Sequence, residues 1–164
     1  MRTLKLLVGN SDRRISNLIE VMIRDLSFNR AVIDMIRVSR IDEFVQRGRD
    51  ENFDLIIFAP DNLLAAPRQN RASRSVPTAI RQIRAVRTHQ ETPMIAISVS
   101  PEQELVFTDA GTDCVLGLPF RFEELKAAVR LYLGLPTETE GAPAQRWTLV
   151  GFLMRGLQRL TTLY

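Results

Sequence analysis

The sequence predicts a single three-layer α/β domain, a doubly wound parallel sheet with helices on both faces, plus one extra helix at the C-terminal end. Three observations carry this. Short apolar runs recur at residues 3–8, 31–38, 53–59, 94–99 and 113–116. Each is followed by a segment whose apolar residues recur at helical spacing. The runs are continuous rather than alternating, the pattern of strands buried on both faces of a parallel sheet.

Taken in order, residues 3–8 (TLKLLV) form the first strand and Gly9, Asn10 and Ser11 the turn after it. Ser11 or Asp12 caps the next helix, whose Ile15, Leu18, Ile19, Met22, Ile23 and Leu26 share one face. Residues 31–38 (AVIDMIRV) are rich in β-branched side chains and form the second strand. Ser39 followed by Asp42 predicts a capped short helix through Ile41, Phe44 and Val45 that ends near Gly48.

Residues 53–59 (FDLIIFA) are too short for a helix and are followed by Pro60, so they form the third strand. Residues 61–76, rich in Pro, Asn, Arg and Ser, read as a long surface loop. Over 77–88, Ile80, Ile83 and Arg87 alternate with polar positions in helical period. Residues 94–99 (MIAISV) are a buried strand, and Pro101 opens a helix with Glu102 and Glu104 in its first turn. After the short strand at 113–116, Phe122, Leu125, Val129, Tyr132 and Leu133 form the apolar face of a helix that stops near Gly134 and Pro136.

The core domain is thus expected to span 1–135, with a linker at 136–145 (TETEGAPA is its centre) and an amphipathic helix at 146–164. Right-handed crossovers then place any site at the carboxyl ends of the strands.

Composition bounds the function. Hydrophobic residues make up 45% and charged residues 25% of the 164, an ordinary globular balance. One cysteine, Cys114, excludes an intramolecular disulfide and reads as a buried small hydrophobe. One histidine, His89, is expected on the surface. With a single histidine and a single cysteine, a zinc cluster of Cys and His ligands cannot be assembled. No stretch approaches the roughly 20 apolar residues of a membrane span, and no leader pattern opens the chain, so a cytoplasmic protein is expected.

The net charge is only +3, but six arginines and no acid fall between Arg68 and Arg87. Arg81, Arg84 and Arg87 have the spacing of a solvated helix face. Arg68, Arg71 and Arg74 in the long loop are candidate partner contacts. Nucleic acid ranks below protein as that partner, because no aromatic is interleaved and no helix-turn-helix or zinc motif accompanies the arginines.

Four segments, LKLLVGN, FDLIIFAP, TPMIAISVS and DAGTDCVLGLPF, together resemble the receiver domain of bacterial response regulators over about residues 1–135. The resemblance implies a flavodoxin-like (βα)5 sheet of order 2-1-3-4-5. It also implies a phosphoacceptor edge formed by the residues that follow strands one, three, four and five. In that family an acidic pair ends the first strand, where this chain has Gly9 and Asn10. The acceptor Asp falls at Ala59, the Ser or Thr at Ser98, and the Lys before Pro-Phe at Leu118. Four of the five positions depart, and together they remove metal ligands, nucleophile and cation. Ala59 and Leu118 read as a joint replacement of a charged pair by apolar groups.

The resemblance therefore implies a non-enzymatic, phosphorylation-independent signalling module in a two-component-type pathway, with no cofactor or metal. Two alternatives stay open: a regulator phosphorylated on a non-standard acceptor such as Asp61 or Asp12, and a flavodoxin-like FMN binder using Gly9, Asn10 and Ser11. The tail (Trp147, Val150, Phe152, Leu153, Met154, Leu157, Leu160) is too apolar for a free helix. It packs on a protein partner, on a second copy together with the last helix of the domain, on its own domain, or on a membrane surface through Arg146, Arg155 and Arg159. Trp147, Phe152, Leu153 and Leu157 are its candidate contacts.

Overall fold

The computed structural model describes residues 2–27, 31–60, 76–98 and 103–135. The candidate contacts Arg68, Arg71, Arg74, Trp147, Phe152, Leu153 and Leu157, together with Asp61, the linker and the tail, lie outside these. The strands are β1 (Arg2–Gly9), β2 (Ala31–Val38), β3 (Leu55–Phe58), β4 (Met94–Ser98) and β5 (Cys114–Gly117). The helices are α1 (Arg13–Ser27), α2 (Ile41–Asp50), α3 (Val76–Arg84), α4 (Gln103–Ala110) and α5 (Phe122–Leu133), with a 3₁₀ turn at Arg87–His89. All four strand pairings are parallel and the sheet order is β2-β1-β3-β4-β5, as expected.

The sheet divides the core in two. On one side Leu4, Leu6 and Val8 of β1 join Ile57 of β3 and Ile95 of β4 against α1 (Ile19, Met22, Leu26) and α5 (Leu125, Val129, Leu133). On the other, Leu7, Ile56, Phe58 and Ala96 meet Phe44 of α2, Ile80 and Ile83 of α3, and Phe107 of α4. Phe58 packs edge-on to Phe107 at 6.4 Å between ring centres and tilted to Phe44 at 5.6 Å. Leu6 and Val8 enter one layer and Leu7 the other, which is why three successive residues of β1 are apolar.

The second helix departs from expectation at both ends. Arg40 is its N-cap residue with no side-chain cap bond, and it runs on to Asp50. Gly48 therefore lies inside the helix rather than ending it. A Cβ there would sit 2.6 Å from Ile83 Cδ1, so a larger residue would have to push the Ile83 side chain of α3 aside. The third strand is shorter than its apolar run. Asp54 instead receives the Lys5 amide on its carboxylate (2.8 Å) and donates its own amide to the Lys5 carbonyl (2.8 Å), locking the start of β3 to β1.

Arg84 corrects a second expectation. Arg81 and Arg87 are exposed, but the Arg84 side chain is only 13% accessible. Its Nε and one terminal nitrogen donate to the Gly111 carbonyl (2.9 and 2.8 Å), and that nitrogen also reaches the Asp113 carboxylate at 2.7 Å. The other terminal nitrogen donates to the carbonyls of His89, Gln90 and Thr92. One guanidinium thus gathers the α3–β4 and α4–β5 loops at the amino-terminal edge of the sheet. Asp113 completes the clasp by accepting the Met94 amide at 2.9 Å. Gly111 adopts a φ of 114°, and a Cβ there would lie 3.0 Å from Arg84 Cγ.

His89, expected on the surface, is buried at 1% accessibility because the turn after α3 folds its ring inward, with Nδ1 3.3 Å from Thr92 Oγ1. Cys114, expected buried, is partly buried: it packs against the α1–α5 layer from the edge strand β5. Burial, reinforced by the charge of Arg84, holds the His89 pKa below its ordinary value near 6.5. The unfolded chain therefore binds a proton that the folded chain resists. The contribution of neutral His89 is complete above about pH 6.5 and is lost as the pH falls below it. The melting temperature is expected to drop between pH 7.5 and 5 more steeply in the native chain than in His89→Leu. Parallel melting profiles would contradict this.

Candidate functional site

Topology brings five of the singled-out residues to one place. Gly9 and Asn10 end β1, Ala59 follows β3, Ser98 ends β4 and Leu118 follows β5, so all five lie along the carboxyl edge of the parallel sheet. They are joined by main-chain bonds. The Ala59 amide donates to the Gly9 carbonyl (2.9 Å), the Asn10 amide to the Val38 carbonyl (2.8 Å), and the Leu118 amide to the Ser98 carbonyl (2.9 Å). The edge is therefore a continuation of the sheet ladder.

Asn10 is 2% accessible and its amide is used within its own loop. Oδ1 accepts the Asp12 N–H at 2.9 Å, while Nδ2 donates to the Asp12 carbonyl (2.8 Å) and to Ser16 Oγ (3.1 Å). This closes an Asx turn that leads into α1. Asp12 then caps α1: its Oδ1 accepts the Arg14 N–H at 2.8 Å, and that amide holds its carboxyl below the usual carboxylate range. Of the two candidate caps, Asp12 is the one used.

Ala59 is 2% accessible and belongs to the core layer with Leu4, Val8, Ile57 and Ile97. Leu118 and Phe120 pack against the same layer, and the Leu118–Pro119 bond is cis. Ser98, 1% accessible, donates its hydroxyl to Gln103 Oε1 at 3.2 Å. Two contributors were missed from sequence, Ser16 and Gln103. Ser16 lies in the first turn of α1 and Gln103 opens α4, and nothing in the local pattern marks either.

Magnesium requires hard oxygen donors, usually carboxylates. Positions 9, 10 and 59 supply none, the Asn10 carbonyl oxygen is held by Asp12, and the Asp12 carboxylate is taken by the start of α1. Among the described residues no three His, Cys, Asp or Glu side chains come together as a metal-holding group. The described residues of this edge do not fit a magnesium ion.

No family model and no curated protein matches the chain. Solved structures do. The receiver domain of a sensor histidine kinase from Pseudomonas aeruginosa PAO1, which holds a magnesium ion in its active-site cleft, superposes with a TM-score of 0.65 at 20% identity, over 80% of this chain and 98% of its own. The chemotaxis response regulator CheY4 of Vibrio cholerae gives 0.64 at 17% identity, over 80% and 99%. The receiver domain of the Francisella response regulator 1452 gives 0.61 at 20%, over 80% and 97%. The chain has the CheY-like, flavodoxin-like α/β fold. Among the described residues no helix is long and apolar enough to cross a membrane.

Proposed function

We propose that this chain is a receiver-like signalling module that is not an enzyme, takes no phosphate, and acts by binding a protein partner in a two-component-type pathway. The observation that carries this is the chemistry of the carboxyl edge. Where phosphoryl transfer needs a carboxylate nucleophile, metal ligands and a cation, the chain has Ala59 in the core layer, Asn10 consumed by its own turn, and Leu118 packed on the same layer.

Stability of the fold does not depend on the missing groups. A buried ion pair exchanged jointly for apolar side chains is often neutral, whereas losing one partner costs about 3–5 kcal/mol. Ala59 and Leu118 fit the joint exchange. Ser98, matched to the remaining family position, serves Gln103.

The test is incubation of the full chain with a small phosphodonor and Mg²⁺, followed by intact mass. No phosphoryl adduct is expected. An adduct mapped to Asp12 or Asp61 supports the non-standard acceptor, and flavin absorbance in the purified protein supports the cofactor reading.

A further inference from the structure

Five large apolar side chains are exposed among the described residues: Val21, Val32, Leu105, Val106 and Leu131. Two are neighbours on α4, where Leu105 is 71% and Val106 47% accessible. That helix uses Phe107 and Ala110 to hold the core, so its outward face carries Leu105 and Val106 between the exposed acids Glu104 and Asp109. Gln103–Ala110 contains no basic residue. An exposed apolar pair flanked by acids is suited to docking a basic, apolar segment.

We infer that the occupant of this face is the chain's own C-terminal segment, residues 147–163. Its composition is complementary: Trp147, Val150, Phe152, Leu153, Met154, Leu157 and Leu160 are apolar, while Arg146, Arg155 and Arg159 are basic, and no acid follows Glu140. Arg155 and Arg159 are four apart in sequence, the spacing that in a helix would set both on one side, complementary in charge to Glu104 and Asp109.

The reach is sufficient. The chain leaves α5 through Gly134, at φ 62°, and Leu135, whose amide donates to the Arg130 carbonyl at 2.9 Å. α5 and α4 pack on opposite faces of the sheet beside the β5 edge, each about 10 Å from it, so the tail has about 20 Å to cover in passing around that edge. The eleven residues 136–146 span about 18 Å as a flexible chain and about 35 Å extended. Tethering gives the segment an effective concentration of order millimolar at α4, well above that of a second copy at ordinary dilution. A partner that uses α4 must displace the tail. The inference stands apart from the question of phosphate.

Trp147 is the only tryptophan, so its fluorescence reports the tail directly in the full chain. Its emission is expected at shorter wavelength than that of the free peptide 145–164, independent of protein concentration, with a monomer in sedimentation. Leu105→Lys/Val106→Lys, at exposed positions on a helix that accepts lysine, shifts the emission to longer wavelength. It also speeds tryptic cleavage after Arg155 and Arg159 about tenfold or more, the ratio expected when burial of one or two side chains is lost. Arg155→Glu/Arg159→Glu produces the same emission shift from the other side of the contact, and Val21→Lys on α1 leaves emission and cleavage unchanged. Emission unmoved by the α4 variant overturns the inference. So does a dimer that the α4 variant dissolves, which makes a second copy the occupant. Emission that shortens only on anionic phosphatidylserine vesicles overturns it in favour of a membrane surface.

Discussion

Replacing Arg84 with alanine is expected to lower the unfolding free energy by about 3–5 kcal/mol, because it strands the Asp113 carboxylate and leaves the gathered loop carbonyls without their donor. Urea titration at pH 7 measures it. The magnitude rests on burial, since both members of the pair are about one-eighth accessible (13% and 12%). Arg81→Ala and Arg87→Ala, at exposed positions, are expected to change stability by no more than about 0.5 kcal/mol. Arg84→Lys retains the charge but not the planar fork that reaches carbonyls of residues 89, 90, 92 and 111 together, so its loss falls between the two. Equal effects at all three arginines would contradict the clasp.

The second large effect concerns the carboxyl edge. Ala59→Asp puts a carboxylate into a 2% accessible position among the apolar side chains of the core layer. A loss of about 3–5 kcal/mol is expected. Adding Leu118→Lys supplies the cation from the end of β5. The double variant is expected to recover part of that loss, with a coupling energy of about 0.5–3 kcal/mol in a double-mutant cycle. Additive effects would mean that positions 59 and 118 do not share a site, and the reading of a joint exchange would fail.

The alternation of strands and helices was legible because burial on both faces makes each strand a continuous apolar run. Phe58, Ile56 and Leu7 feed one layer, while Ile57, Leu6 and Val8 feed the other. The order of the sheet and the edge holding Gly9, Asn10, Ala59, Ser98 and Leu118 followed from the resemblance and from crossover handedness. The first half of the DAGTDCVLGLPF segment has a structural explanation in the described residues. Gly111 and Asp113 receive Arg84, and Ala110 is buried beside them.

What escaped the sequence shares one physical cause. Arg84 and His89 are polar residues whose partners are main-chain carbonyls or side chains delivered by other elements. Helical periodicity assigns such residues to solvent, because it contains no information about what the next layer offers. Gly48 misled in the same way, read as a stop signal when it lies inside α2 against the Ile83 side chain. Asn10 read as a turn residue where the resemblance implies an acid, with no hint of what its side chain does. In the folded chain it is a working residue whose amide organises the entry to α1.

The central claim is that the carboxyl edge binds neither magnesium nor a phosphoryl group. The most direct measurement is the ¹H–¹⁵N spectrum of the full chain titrated with Mg²⁺ and then with beryllofluoride, a phosphoryl mimic. The amides of Gly9, Asn10, Ala59, Ser98 and Leu118 are expected to hold their positions throughout. Saturable shifts confined to those five amides would contradict the account.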